Sequence, residues 1–286
     1  MTYLPIIFKV NIKLGAFNFN SSMTRGQLAI NLKGNESEIA LGKEMVTFIP
    51  FGEKPNKEGV IYTIELLKRN KLIEDFMIVE SNNVELLADR VPLDKCYIIG
   101  EHLATYGIIK RIKPPSIISV DAHTDLMHDY LDHGSWLAYA LEEKAVNRAA
   151  VAGPVLMIPT TERTSLWTRR VKIFPALPRS KRTRGKWRAY KSLKTSSMEK
   201  IIDNMRRYLG EEIYLTVDMD VLKPEYKIAR FQHGELSLEE LLELINEIKK
   251  NFKIIACDIA EISDKIKRSK LGKKALIEVY TALVGE

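Results

Sequence analysis

Cysteine is nearly absent from this chain: Cys96 and Cys257 are the only two in 286 residues. They fall in separate apolar runs, without the spacing of a zinc site or a redox pair. Buried, reduced thiols are expected, and a disulfide-stapled fold is excluded. No apolar stretch approaches the roughly 18–20 residues of a membrane span. The N-terminus lacks a basic region followed by an apolar core and a small-residue cleavage site. These absences read as a cytoplasmic protein without a membrane partner. No internal repeat and no clear domain boundary is visible, so residues 1–286 are expected to form a single domain with a substantial core.

Charge is present but uneven. The net charge is +7, with 44 basic and 37 acidic residues. Between Glu162 and Lys194 twelve Lys and Arg stand against one acid, so the rest of the chain is net acidic. The densest part runs from Arg179 to Lys191 and includes Trp187 and Tyr190. Basic residues interleaved with aromatics can meet phosphates and stack on bases. The segment lacks helical or strand periodicity, which favours a solvated surface loop or insertion over 162–194.

Strands are expected at 46–50, 76–80, 96–99, 117–120, 155–158, 171–174, 213–217 and 252–257. Helical patterns lie between many of them. One runs through 59–68. A second covers Ser197 to Tyr208, with Ser197 as N-cap. A third opens on the capping box Ser237-Leu238-Glu239-Glu240 and reaches Lys250. A fourth spans 275–284. Alternating strands and helices predict an α/β fold with a mainly parallel sheet. Residues 1–44 do not fit the alternation, and 12–32 reads as an appended hairpin.

Three of these strands end in metal-ligand side chains. Ile117-Ile118-Ser119-Val120 leads into Asp121-Ala122-His123-Thr124-Asp125. If the extended conformation continues, Asp121, His123 and Asp125 point the same way. Tyr214-Leu215-Thr216-Val217 leads into Asp218-Met219-Asp220. Cys96-Tyr97-Ile98-Ile99 leads into Gly100-Glu101-His102. A lone Asp-x-Asp is ordinarily a loop or cap, and a lone Gly-Glu-His means little. Four Asp and two His at neighbouring strand ends are different, because burying them without a counter-ion is costly. Oxygen-rich donors with some imidazole suit manganese better than a structural zinc. Six ligands exceed the needs of one ion and match a two-metal centre that activates a water. Open α/β folds place such sites at the carboxyl edge of the sheet.

The three motifs, in this order, resemble those of the ureohydrolase family of arginases, agmatinases and related amidine hydrolases. The family reads Gly-Gly-Asp-His, Asp-Ala-His-x-Asp and Ser-x-Asp-x-Asp. The match covers about 96–140 and 212–262. It implies a three-layer α/β/α sandwich and two Mn2+ per chain. His102 and Asp125 would hold one ion, His123 and Asp220 the other, with Asp121 and Asp218 bridging. It also assigns His133, in His133-Gly134, as a proton shuttle titrating near neutral pH. Glu261, in Cys257-Asp258-Ile259-Ala260-Glu261, would receive the substrate guanidinium. Asp125 would also carry a proton to the leaving amine. A small guanidino substrate and a homo-oligomer, trimer or hexamer, are implied. Agmatine is favoured by Asp129-Tyr130 ahead of His133. Arginine or another guanidino acid is the alternative, as is a non-catalytic protein binding nucleic acid or a partner through its basic segment. The departures are Glu101 for Asp, Thr216 for Ser, and Lys223-Pro224 for Asp-Pro. The glycine-rich loop that follows in the family is replaced by Ile228-Ala229-Arg230-Phe231-Gln232-His233-Gly234. The substrate pocket therefore transfers less well than the metal ligands. His128 and His233 receive no role.

Overall fold

The computed structural model describes residues 45–127, 129–155, 169–183 and 186–285, with backbone alone over 181–183 and 186–188. The expected hairpin at 12–32 lies outside the described residues, as do His128 and the strand positions 156–158. Eight parallel strands form one sheet: β1 (Val46–Ile49), β2 (Phe76–Ile78), β3 (Cys96–Ile99), β4 (Ser116–Val120), β5 (Arg148–Ala152), β6 (Val171–Phe174), β9 (Glu212–Asp218) and β10 (Lys253–Ala260). Their order is β2-β1-β3-β10-β9-β4-β5-β6. The fold is the expected α/β sandwich. β5 is a strand the sequence did not announce. Its Arg-Ala-Ala-Val-Ala carries one β-branched residue, and burial between β4 and β6 makes it a strand.

Period-two alternation sorts the strand side chains onto two faces. On β3, Cys96 and Ile98 join one core while Tyr97 and Ile99 join the other; on β9, Ile213, Leu215 and Val217 oppose Tyr214. Helices α1 (Lys54–Arg69), α5 (Met198–Leu209), α6 (Leu238–Asn251) and α7 (Lys270–Val284) cover the first face through Leu67, Ile202, Ile245 and Leu276. Helices α2 (Val84–Arg90), α3 (Leu103–Ile112) and α4 (Trp136–Glu142) cover the second through Leu87, Ile108 and Trp136. Among the described residues no helix is long and apolar enough to cross a membrane. Cys96 and Cys257 are both buried, in register on β3 and β10.

Local signals behave unevenly. Ser237 closes the full capping box, its hydroxyl accepting Glu240 N–H while the Glu240 carboxylate accepts the Ser237 N–H. Ser197 occupies the N-cap position of α5, but its side chain makes no capping bond. The basic segment is not wholly irregular: β7 (Ser180–Thr183) and β8 (Lys186–Ala189) pair as a separate antiparallel hairpin. Main-chain bonds hold such a ribbon outside the main sheet, so alternation of apolar residues gives no warning of it.

The loop after β9 is fastened without the glycines the resemblance would supply. Gln232 Oε1 accepts the N–H groups of Ile228 and Ala229, each at 3.0 Å, and its amide donates to Met219 O (2.7 Å) and Leu222 O (2.8 Å). Gly234 lies flat on the chain carrying Asp220: a Cβ there would stand 1.9 Å from Val221 O and 2.5 Å from Asp220 O. These are backbone atoms that cannot yield. Gly234→Ala is therefore expected to cost about 3 kcal/mol or more, read as a fall in Tm of several degrees. An unchanged Tm would contradict the close approach.

Candidate metal centre

The three ligand-bearing strands β3, β9 and β4 end side by side with β10 at the carboxyl edge of the sheet. The ligands do not arrive by continued extension. The chain leaves β4 after Val120, and Asp125 takes a left-handed φ of 51°. The 3-10 turn Met219–Val221 follows β9 directly. The two motifs use the same device to turn. Asp121 Oδ1 accepts the N–H of His123 at 2.7 Å, and Asp218 Oδ1 accepts the N–H of Asp220 at 2.7 Å. Each first aspartate thus braces its own turn with one oxygen and points the other inward. Asp220 Oδ1 then accepts the N–H of Ala122 at 3.2 Å and ties the motifs together.

His102 Nδ1 lies 3.2 Å from Asp121 Oδ2, 3.2 Å from Asp125 Oδ2 and 3.0 Å from Asp218 Oδ2. His123 Nδ1 lies 2.8 Å from Asp220 Oδ2 and 3.5 Å from Asp121 Oδ1. Two groups of possible ligands result, His102-Asp121-Asp218 and Asp121-His123-Asp220. Asp121 belongs to both. Asp218 belongs to the first alone, and Asp125 closes on the same His102 nitrogen. All six side chains converge, and His102 and the four aspartates are buried.

A cation fits this arrangement. His102 Nδ1 and Asp121 Oδ2 are buried and make no hydrogen bond, although they face each other at 3.2 Å. Buried polar atoms are rarely left so. Without a cation the carboxylates cannot all ionise. Burial, then the charges of Asp220 and Asp121, push Asp218 well above the usual carboxylate range. Burial and Asp121 raise Asp125 to about 7. Burial pulls His123 down, but Asp121 and Asp220 outweigh it and hold the ring up to about 12. Carboxylates with imidazole suit manganese or a similar first-row ion.

Five further residues surround the centre. Trp136 Nε1–H donates to Asp125 Oδ2 at 2.5 Å, and its ring lies 4.8 Å from that of His102. Glu261, at the end of β10 with φ 57°, accepts the His102 N–H through Oε1 at 2.9 Å. Burial is the main cause that raises Glu261 to about 7. Glu101 packs over Gly52, which has φ 98° and no room for a side chain there. Its Oε1 stands 3.7 Å from His133 Nδ1, and His133 is more than half exposed. Glu101 raises His133 to about 9 against the effect of burial, above the near-neutral value expected for a shuttle. His233, given no role by the sequence, stands edge-on to His123 at 6.2 Å. Trp136 opens a helix that the sequence did not announce, and carried no signal of its own. Among the described non-glycine residues, positive φ occurs at Asp125, Glu261 and four lysines. Asp125 and Glu261 are the two of these that lie at the candidate centre.

The model of the Arginase family matches residues 77–283. This chain belongs to that family. Agmatinase of Bacillus cereus is 26% identical over 199 residues, covering 65% of this chain and 60% of the relative. Arginase 2, chloroplastic/mitochondrial, of Arabidopsis thaliana is 22% identical over 202 residues, covering 65% and 52%. The chain thus spans only about half to three-fifths of the length of these relatives. Entamoeba histolytica arginase, solved with L-ornithine, shares the fold with a TM-score of 0.64 at 18% identity, over 85% of this chain and 98% of that one.

The shared position of Asp121 predicts a graded loss of metal. Asp121→Ala should lose both ions, and Asp220→Ala mainly the ion beside His123, by elemental analysis after manganese loading. Equal stoichiometry in the two variants would refute the sharing. Trp136→Phe should weaken ion binding about 10–100-fold, the usual effect of removing a partner of a ligand. It should also remove most of the metal-induced change in tryptophan fluorescence, and a variant titrating like the parent would refute the role of the indole N–H.

Proposed function

We propose that this chain is a binuclear manganese hydrolase that cleaves a guanidino or amidino C–N bond, with agmatine, giving putrescine and urea, as the favoured substrate. The observation that carries the reading is the pair of ligand groups sharing Asp121 beside the carboxylate of Glu261. Membership of the arginase family and the agmatinase relative support it. When bound, two divalent ions supply Lewis acidity and a nucleophile at neutral pH.

The chain's own groups do the rest. Glu261 keeps one oxygen on the His102 N–H, which fixes the carboxylate and leaves Oε2 for a guanidinium. Asp125 accepts a proton from the nucleophile and returns it to the leaving amine. The Trp136 N–H holds its Oδ2 during that exchange. His133, on the exposed rim, passes the product's proton to solvent. A cation bound near Glu261 opposes the carboxylates that raise His133 and brings it back toward neutral pH. Glu101 and Glu261 together make the approach acidic, which favours a cationic substrate over one bearing a carboxylate.

Agmatine, arginine, guanidinobutyrate, guanidinopropionate and formimidoylglutamate, tried on manganese-loaded protein, test the reading. Agmatine should release urea with the highest kcat/KM. His123→Ala should abolish release, and Glu261→Gln should keep both ions while losing turnover by about 100-fold or more. His133→Ala should slow turnover with little change in KM. A better rate on arginine would make this an arginase. Silence on every compound with both ions bound would end the hydrolase reading and promote binding of nucleic acid or a partner through the basic segment. Light scattering measures whether the chain assembles as a trimer or hexamer.

A further inference from the structure

Asp258 is wholly buried, on β10, and makes its hydrogen bonds to none of the six ligands. Three hydroxyls converge on it. Thr105 from α3 donates to Oδ2 at 2.9 Å, and Tyr214 from β9 donates to the same oxygen at 2.7 Å. Thr216 donates to Oδ1 at 2.5 Å. Asp258 and Thr216 are direct neighbours in the β9–β10 register. Burying a carboxylate with no cation at hydrogen-bond distance is expensive, and an apolar residue would pack there at lower cost. Burial pushes the carboxyl up, while the nearby His102 and the three hydroxyl donors oppose that rise.

The direction of each bond follows from proton counting. An ionised carboxylate only accepts, and a hydroxyl has one proton to give. Thr216 gives that proton to Asp258. Its oxygen is therefore an acceptor toward its other neighbour, His102 Nε2, at 2.8 Å. Nε2 must then carry a ring proton. The remaining nitrogen, Nδ1, is the one that faces Asp121, Asp125 and Asp218 and makes no hydrogen bond of its own. The opposite arrangement, Thr216 donating to His102, would set the Thr216 oxygen lone pairs against an ionised Asp258 Oδ1 at 2.5 Å or need a proton on Asp258, which its three hydroxyl donors disfavour. Asp258 also grips the helix that His102 opens, because Thr105 lies three residues into it.

We propose that Asp258, acting through Thr216, is a positioning residue that fixes the ring proton of His102 on Nε2 and so presents Nδ1 as a metal ligand. This rests on the metal reading of the centre and is independent of the substrate. Thr216 stands where the family pattern has Ser, and the hydroxyl common to both is the part this role requires.

The isosteric variant Asp258→Asn offers Thr216 an amide N–H in place of a bare oxygen. The Thr216 hydroxyl can then turn toward Nε2, and the ring proton moves to Nδ1, where it blocks the ion. Manganese titration of the full chain should show the ion beside His102 weakened about 10–100-fold, with the ion beside His123 unchanged. Thr216→Val should do the same, and Thr216→Ser should bind like the parent. In zinc-loaded, 15N-histidine-labelled protein, the parent and Thr216→Ser should show a slowly exchanging Nε2–H on His102 that both other variants lose. A purely structural role would weaken both ions alike or lower Tm without selecting one. If Asp258→Asn does not fold by circular dichroism, the Thr216 pair decides alone. Two ions at parental affinity with the protected Nε2–H intact in Thr216→Val would overturn the assignment while leaving the hydrolase reading standing. A parent that binds no ion would overturn both.

Discussion

The constraint on which the rest depends is electrostatic. Four carboxylates meet at the ends of β4 and β9, and burial first, then their mutual repulsion, raises Asp218 and Asp125 toward holding protons unless a cation intervenes. Everything close by manages that charge. Asp121 and Asp218 each bind a backbone N–H two residues on, which stabilises one oxygen and aims the other. Trp136 places a neutral donor on Asp125. Asp258 lies one layer further in and is answered by three hydroxyls, not by a charge. The result is a buried polar column from the sheet interior to the candidate ligands.

The parallel sheet makes this column possible. Strands that run the same way bring all their carboxyl ends to one edge, so residues far apart in sequence meet without long excursions. His102 and Glu261 are 159 positions apart, yet the main-chain N–H of one bonds the carboxylate of the other. The same alternation that sends Leu215 and Val217 into one apolar core sends Tyr214 into the second, and Thr216 follows Tyr214 on that face. Fold and site are consequently written in one period-two pattern.

Much of this was legible in the sequence because two signals agreed. Apolar runs ending in Asp and His located β3, β4 and β9, and the order of the motifs indicated a family and thus a sandwich. The lapses have physical causes. The condition that extension continues through Asp121, His123 and Asp125 is not met, because Asp121 makes a side-chain turn with its own backbone. β5 was missed because alanine carries no strand preference and only its neighbours make it extended. The hairpin in the basic segment depends on main-chain pairing, which residue type barely reports. Asp258 did leave a trace: a single carboxylate inside Ile254-Ile255-Ala256-Cys257-Asp258-Ile259-Ala260 demands a buried partner. No linear pattern, though, says that the partners are Thr105, Tyr214 and Thr216. The value of His133 depended on Glu101, whose side chain reaches it only in the folded chain.

The loop that departs most from the family shows why the centre can persist while the rim changes. Gln232 replaces a glycine-rich turn by bonding four backbone groups at once, two N–H and two C=O. Those bonds reach back to Met219 and Leu222, on either side of Asp220, so the loop still clamps the turn that presents the ligand. Its outward residues are under no such demand. Phe231 and His233 are exposed, and Arg230 pairs with Glu53 at 2.9 Å across the mouth of the sheet. The turn that carries Asp220 is therefore secured by inward-facing hydrogen bonds, whereas the outward side chains take no part in them. This division accounts for a chain whose six candidate metal-binding residues fit the family motifs while the loop beside them does not.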